Sequence, residues 1–188
     1  MSASDRDVVL DVRRGDREAF GHLVHRYQGR LFGVVLMMVR RPDAAEEVTQ
    51  EAFVRAYRCI DQYDDHRPFY PWLATIAVRL AQNWLRHHGR TVRREGAPLE
   101  SAQEPSAMPA ALNQLIASER SRRVWHAVAA LPSAERTAVI LYYRDEMAVR
   151  DIAHALGVTT GTIKTLLFRA RRHLRERVGA VTISREEI

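Results

Sequence analysis

The sequence has 188 residues, of which 46% are hydrophobic and 28% charged, and its formal net charge is +6. This balance excludes an intrinsically disordered chain, and the length suits two modest domains. Cys59 is the only cysteine, which excludes an intrachain disulfide and suits a reducing compartment. No apolar run is long enough to cross a bilayer and the polar start does not resemble a secretory signal, so we expect a cytoplasmic protein without stable membrane insertion.

Helical periodicity dominates the first half of the chain. Apolar residues recur there at steps of three and four, which is typical of amphipathic helices. Asp16 is placed to cap a long helix, and Asp43 with Glu46 has the spacing of a capping box. The predicted helices are Asp5 to Arg14, Asp16 to about Arg41, a third from Asp43 to about Ile60 and, after a polar loop from Asp61 to Pro68, a fourth that ends near His87.

The periodicity is lost in the middle of the chain and then returns. Residues 91–114 contain three prolines and mark a flexible linker. The sequence therefore predicts an all-α fold with two small helical domains, at 1–90 and 115–180, and a tail at 181–188. Helices of the second domain are predicted at Leu115 to Leu131, Ser133 to Arg144, Ala148 to Ala155 and Thr160 to Arg177. Both domain segments carry net positive charge, whereas residues 96–118 carry only two acidic residues and no basic ones.

The segment from Asp151 to Lys164 has the layout of a helix-turn-helix, with Gly157 at the tight turn and a threonine cap after it. At 100° per residue, Ile163, Leu167, Ala170 and Leu174 share one narrow face of the last helix. The opposite face can enter a major groove, with its first residues nearest the base edges and its arginines near phosphates. A basic surface helix of an ordinary bundle is the alternative. The candidate DNA-contacting residues are Arg150, Thr159, Thr160, Thr162, Lys164, Thr165, Phe168, Arg169, Arg171 and Arg172.

The fourth helix interleaves aromatic and basic residues, a pattern that suits single-stranded DNA, where bases stack on aromatic rings and arginines hold the backbone. Ile76 and Trp84 share one helical face and fit a core role better. Phe69 and Tyr70 are expected to contact DNA. The candidate residues of this surface are Phe69, Tyr70, Trp72, Arg79, Asn83, Arg86 and Arg90.

The third helix presents a mixed charged and apolar face that could dock a partner helix, although such faces are often only solvated. Its candidate residues are Glu46, Glu47, Gln50, Glu51, Phe53, Val54 and Arg55.

Several of these segments, in order and spacing, resemble the extracytoplasmic-function (ECF, group 4) sigma factors of the sigma-70 family. The matching segments are Gly15 to Phe20, Ala45 to Tyr57, Pro71 to Ala77, Ala130 to Pro132, Gly161 to Lys164 and Arg169 to Arg171. The resemblance covers nearly the whole chain. The sequence departs from the family at Arg79, where Asn is common, at Thr159, where Pro is common, and at Leu166, where Arg is common.

The resemblance implies that the first domain is region 2 and the second is region 4 of a transcription initiation factor, which is not an enzyme and needs no cofactor or metal. The face of the third helix would bind core RNA polymerase at the β′ clamp helices, with the β flap as a further contact. The aromatic helix would melt and read the −10 promoter element, and the helix-turn-helix would read the −35 element. An anti-sigma factor is an expected further partner.

Two other functions fit parts of the sequence. A freestanding helix-turn-helix regulator would use the second domain but would leave the first without a role. A metalloprotein would need His22 with His25 or His87 with His88, and no cysteine or carboxylate cluster completes a ligand set.

Overall fold

A computed structural model describes residues 4–94 and 119–178 of the chain. These residues form eight α-helices and contain no β-strand, so the all-α prediction is confirmed. The helices are α1 (Asp5–Arg13), α2 (Phe20–Val39), α3 (Pro42–Arg58), α4 (Phe69–Arg94), α5 (Glu119–Ala129), α6 (Ser133–Val139), α7 (Val149–Leu156) and α8 (Thr160–Val178). A 3-10 turn at Ile60–Gln62 follows α3, and a π-helical turn at Ile140–Arg144 continues α6. Helix α4 continues past its predicted end near His87 to Arg94, so the first four residues of the predicted linker, 91–94, are helical. The rest of the predicted linker and the tail lie outside the described residues.

The starts of α2 and α3 both differ from the sequence prediction, because α2 begins only at Phe20, with Ala19 at its N-cap position and no side-chain cap. The Asp16 carboxylate accepts hydrogen bonds from the backbone N–H groups of Glu18 and Ala19, at 3.0 and 3.1 Å, in the turn that leads into α2. The capping box predicted at Asp43 is not formed, because α3 already begins at Pro42, whose fixed φ and missing N–H suit a first helical position. Asp43 instead pairs with the guanidinium of Arg41.

The core of the first domain lies where α2, α3 and α4 meet. Leu23, Leu31 and Leu73 are fully buried there. Phe20 packs edge-on against Phe53 and Tyr57 at one end of this core, with ring centroids 6.4 and 5.2 Å apart. Apolar burial of this kind is the main stabilising contribution to a small helical domain.

The second domain is formed by α5 to α8 around Ile140, Ile152 and Ile163, all with no exposed surface. The carboxylate of buried Glu135 lies 2.8 Å from the Nδ1 of His173, which joins α6 to α8. This second core holds α7 and α8 in a fixed relation to each other.

The two domains pack directly against each other, α7 on α4 and the α6 region on α2. Buried residues of both domains form one continuous cluster. Surfaces of α2, α4 and α7 that would be exposed in separate domains are therefore covered.

Candidate nucleic-acid interface

Helices α7 and α8 form a helix-turn-helix, as the sequence predicts. Helix α7 ends at Leu156, and Gly157 follows with φ of 68°, a left-handed conformation that glycine adopts at little cost. The Thr159 hydroxyl then accepts a hydrogen bond from the backbone N–H of Thr162 at 3.2 Å and so caps α8. Turn and cap together fix the start of the second helix.

Helix α8 has one buried and one exposed face. Ile163, Leu167, Ala170 and Leu174 are each at most 3% exposed, which confirms the predicted buried stripe. Leu166 is half-buried and packs against the core, so it widens this stripe. The residues Thr160, Thr162, Lys164, Thr165, Phe168, Arg169 and Arg172 are all exposed, as is Thr159 at the cap.

Two of the arginines predicted at this surface have partners within the second domain. Arg171 is half-buried, and its Nε donates a hydrogen bond of 2.7 Å to the hydroxyl of Tyr143. Arg150 is exposed on α7 and forms an ion pair with its neighbour Asp151 at 3.7 Å. Exposed ion pairs contribute little stability, so Arg150 can exchange its partner more readily than Arg171.

Phe69 does not lie on the surface where the sequence analysis placed it. Its side chain has no exposed area and packs against the rings of Tyr27, Tyr63 and Trp72, with centroids 5.3 to 5.9 Å apart. Phe69 is the first residue of α4. The 3-10 turn at Ile60–Gln62 and the loop that follows this turn place the ring of Tyr63 against the ring of Phe69. Burial raises the pKa of Tyr63 to about 12, aided by nearby carboxylates including Asp5. Phe69 is therefore a core residue.

Tyr70 is also buried, at 4% exposure, but for a different reason. Its hydroxyl donates a hydrogen bond of 2.9 Å to the carboxylate of Asp145 in the second domain. Burial, together with the nearby Asp145 carboxylate, raises the pKa of Tyr70 well above its usual value. Its burial thus depends partly on the contact between the domains.

Trp72 and the polar residues of α4 remain at the surface. Trp72 is half-buried, whereas Arg79, Asn83 and Arg86 are exposed. The guanidinium of Arg86 donates to the side-chain oxygen of Asn83. Trp84, favoured as core by the sequence, is half-buried and stacks on the ring of His88 at 3.9 Å. Arg90 lies within α4, and its side chain lies outside the described residues.

A cleft of about 220 Å³ lies beside Trp72. The polar loop from Asp61 to Pro68, predicted only as a connection, forms one wall of the cleft. The sequence carried no local signal for this cleft, because Arg150, Asp151 and His154 of the second domain also line it. The cleft is lined by Gln62, Tyr63, Asp64, Arg67, Pro68, Pro71, Trp72 and Thr75 of the first domain and by Arg150, Asp151 and His154 of the second.

The predicted partner-binding face of α3 is largely exposed. Glu46, Glu47, Gln50 and Arg55 are exposed, Val54 is 41% exposed, and Glu51 pairs with Arg55 at 2.6 Å. Phe53 is the exception, because its ring is 7% exposed and packs against Phe20. Phe53 therefore supports this face from within the core and cannot form part of its surface.

The part of the chain that the structure describes holds no group of three His, Cys, Asp or Glu side chains arranged to bind a metal ion. Among the described helices, none has both the length and the apolar character needed to cross a membrane.

Comparison with known families matches each domain separately. Residues 23–91 match Sigma-70 region 2, and residues 121–174 match Sigma-70, region 4. The match to region 2 argues against a freestanding helix-turn-helix regulator. The two matches define the class of protein as a sigma factor, with both DNA-binding regions present.

Individual relatives narrow the class. The chain is 32% identical to the ECF RNA polymerase sigma-E factor of Haemophilus influenzae over 93% of its own length and 95% of that protein, and 32% identical to that of Escherichia coli over 93% and 94%. It also shares its fold with the sigma factor RpoE from Bartonella quintana, solved in complex with the anti-sigma factor NepR, at a TM-score of 0.70 and 23% identity over 86% of this chain and 97% of that one. The chain belongs to the sigma-70 family and is an RNA polymerase sigma factor of the ECF type, a factor for transcription initiation.

Proposed function

We propose that this sigma factor reads the −35 element with the exposed face of α8. The proposal rests on the two faces of that helix. One face buries four apolar residues, and the opposite face exposes Lys164, Phe168 and Arg169. Thr160 and Thr162 lie at the end of the helix that enters a major groove first, where side chains reach base edges. Lys164, Arg169 and Arg172 would neutralise phosphates, which makes binding depend on salt concentration.

The −10 element is proposed to bind along α4 and the cleft beside it. Trp72 offers an aromatic surface on which an unpaired base can stack, and such stacking contributes roughly 1 to 3 kcal/mol per base. Arg79, Asn83, Arg86 and Arg90 follow it along the helix and would hold the strand. The long arginine at position 79, in place of the shorter asparagine common in the family, is proposed to change which base is preferred there.

Core RNA polymerase is proposed to bind the exposed face of α3. This face combines charged and polar side chains with one exposed apolar side chain, which is the composition of a polar rim around a small apolar contact. Its residues are Glu46, Glu47, Gln50, Glu51, Val54 and Arg55. An anti-sigma factor, as in the complex of the Bartonella quintana protein, is proposed as a partner that competes for these surfaces. The chain would act in the cytoplasm, where polymerase and promoter DNA meet.

In vitro transcription with core polymerase on a promoter library tests the −35 and −10 assignments. The wild-type chain is compared with Lys164→Ala plus Arg169→Ala, with Trp72→Ala and with Glu18→Gln, an exposed change before α2 that lies outside the assigned surfaces. Loss of the two cations should weaken initiation at all promoters and reduce the salt dependence of DNA binding, since phosphate contacts carry no sequence information. Core-dependent initiation that none of the variants alters would contradict the assigned surfaces.

A further inference from the structure

Helix α1 is anchored on α2, although it carries none of the promoter or polymerase surfaces proposed above. Val8, Val9 and Val12 are at most 7% exposed and belong to the core. At the start of α1 the Asp5 carboxylate accepts a hydrogen bond of 2.5 Å from the hydroxyl of Tyr27 on α2. Apolar burial on one face, together with this bond, holds the helix in place. Helix α1 can therefore act as a fixed support for the segment that its other side contacts.

Two arginines of α1 hold the α3–α4 loop, which is the whole segment between those two helices. Arg6 and Arg13 lie seven residues apart, which is almost two full helical turns, so both lie on the same side of α1. The Nε of Arg6 pairs with the carboxylate of Asp65 at 2.9 Å. The Nη2 of Arg13 donates to the backbone carbonyl of Ile60 at 2.8 Å and also to that of Tyr63. One face of α1 thus contacts the loop at three positions.

The guanidinium of Arg13 suits this role. Its planar fork carries several N–H donors in fixed directions, so one side chain can hold two carbonyl oxygens at once. The side chain is 23% exposed, and the carboxylates of Asp61 and Asp65 lie 4.0 and 3.9 Å from its nitrogens. By contrast, the side chain of Arg14 is 75% exposed and pairs with Asp11 of its own helix at 3.3 Å. The neighbouring arginines therefore differ in the contacts they make, although their chemistry is the same.

Tyr63 connects the part of the loop that Arg13 holds to Trp72. Its hydroxyl donates a hydrogen bond to the backbone carbonyl of Arg67, farther along the same loop. Its side chain is 4% exposed, and its ring centroid lies 5.1 Å from that of Trp72. Because Trp72 is only half-buried, this ring contact restricts where the indole can lie. The position of the aromatic surface beside the cleft therefore depends on the backbone that Arg13 holds.

We infer that Arg13 is a positioning residue for promoter melting, which holds the α3–α4 loop so that Tyr63 keeps the Trp72 ring in place to stack on an unpaired base. This inference rests on the −10 surface proposed above. A ring that is already ordered binds more tightly, because less conformational entropy is lost when the base arrives. Arg6 supports the same loop, but its ion pair with Asp65 is more exposed and contributes less.

The environment of Trp72 can be measured in the full chain without DNA or polymerase. The three tryptophans of the sequence, labelled with fluorinated tryptophan, each give a fluorine resonance, and Trp72→Phe assigns that of Trp72. Arg13→Ala should shift or broaden this resonance, whereas the matched control Arg14→Ala should leave it in place. Arg13→Lys keeps the charge but donates from a single nitrogen. It should shift the resonance in the same direction and serves as the test if urea titration shows that Arg13→Ala does not fold.

Permanganate footprinting with the polymerase holoenzyme measures the consequence for melting. Arg13→Ala should lower the yield of open complexes by about three- to tenfold, and by no more than Trp72→Ala, since it can remove only the contact that it positions. Arg14→Ala should match the wild type. In a Trp72→Ala background, Arg13→Ala should lower the yield further by less than about twofold, because a residue that acts through the ring has no effect once the ring is gone. A generally weakened fold would instead lower the yield by the same factor in both backgrounds.

Three results would each overturn the inference: a Trp72 resonance that both Arg13 variants leave in place, an unchanged yield of open complexes in these variants, or an equal loss of yield with and without the Trp72 ring. If Trp72→Ala itself leaves melting unchanged, the proposed −10 surface is wrong and the inference fails with it. If Trp72→Ala impairs melting, the same three results count against Arg13 alone. Failure of the positioning role and failure of the proposed surface are thus distinguished.

Discussion

Phe168 on the recognition helix offers the sharpest test of how this sigma factor binds DNA. Its side chain is 67% exposed, whereas that of its neighbour Leu167 is 3% exposed. A ring this exposed, on the side of α8 proposed to face DNA, has no role in packing the second domain. We therefore expect Phe168→Ala to weaken −35 binding while leaving the fold almost unchanged.

The exposed fraction of the Phe168 side chain sets the expected loss of DNA affinity. Burying a whole phenylalanine side chain contributes about 1.5 to 3 kcal/mol, so the two-thirds still exposed could contribute roughly 1 to 2 kcal/mol on contact with DNA, which is about five- to thirtyfold in affinity. The buried third limits the loss of folding free energy to about 1 kcal/mol. Leu167→Ala should instead lower the free energy of unfolding by about 2 to 5 kcal/mol, because it leaves a cavity in the core.

The assay combines urea unfolding of each variant with binding of the polymerase holoenzyme to a promoter duplex selected from the library. Phe168→Tyr, which keeps the ring, serves as the conservative control and should retain most of the affinity. Unchanged −35 binding by a folded Phe168→Ala variant would refute the assignment of this face, as would an equal loss of stability in Phe168→Ala and Leu167→Ala.

Three further predictions concern the first domain and the contact between domains. Trp72→Ala should lower the yield of open promoter complexes, measured by permanganate footprinting, by about tenfold without unfolding the protein. Phe69→Ala should instead lower the free energy of unfolding, measured by urea titration, by about 3 to 5 kcal/mol. Glu47→Arg should reduce core-polymerase affinity measured by fluorescence anisotropy, and Glu18→Arg, an exposed charge reversal outside α3, should leave it unchanged. The contribution of Tyr70 to the contact between the domains should fall as pH rises above about 10, because burial holds the pKa of its hydroxyl above the ordinary value. Urea unfolding followed against pH should show a steeper loss of stability in the wild type than in Tyr70→Phe, and equal responses would contradict it.

Local sequence determined the helices and the turn of the helix-turn-helix, because helical periodicity, turns and caps each depend on residues only a few positions apart. The 100° step between residues predicts which side of α8 is buried, and Gly157 with Thr159 sets the turn before it. The Asp16 carboxylate accepts two backbone hydrogen bonds in the turn before α2 for the same reason, although α2 itself begins at Phe20. The capping box at Asp43 failed because Pro42 begins the helix one residue earlier, a competition between two local signals.

Tertiary structure determined which faces of the helices are covered and which residues cover them. Phe69 and Phe53 have the residue types of interface side chains, and only the loop and the helix that fold over them make them core. The bond between Tyr70 and Asp145 joins residues 75 positions apart, and that between Arg30 and Asp145 joins residues 115 apart. Helical period shows that a face is apolar or charged, but it holds no information about which distant surface is complementary to it. The sequence by itself therefore determined the helices, the helix-turn-helix and the family, whereas the contact between the two domains depends on shape and charge that only the folded chain brings together.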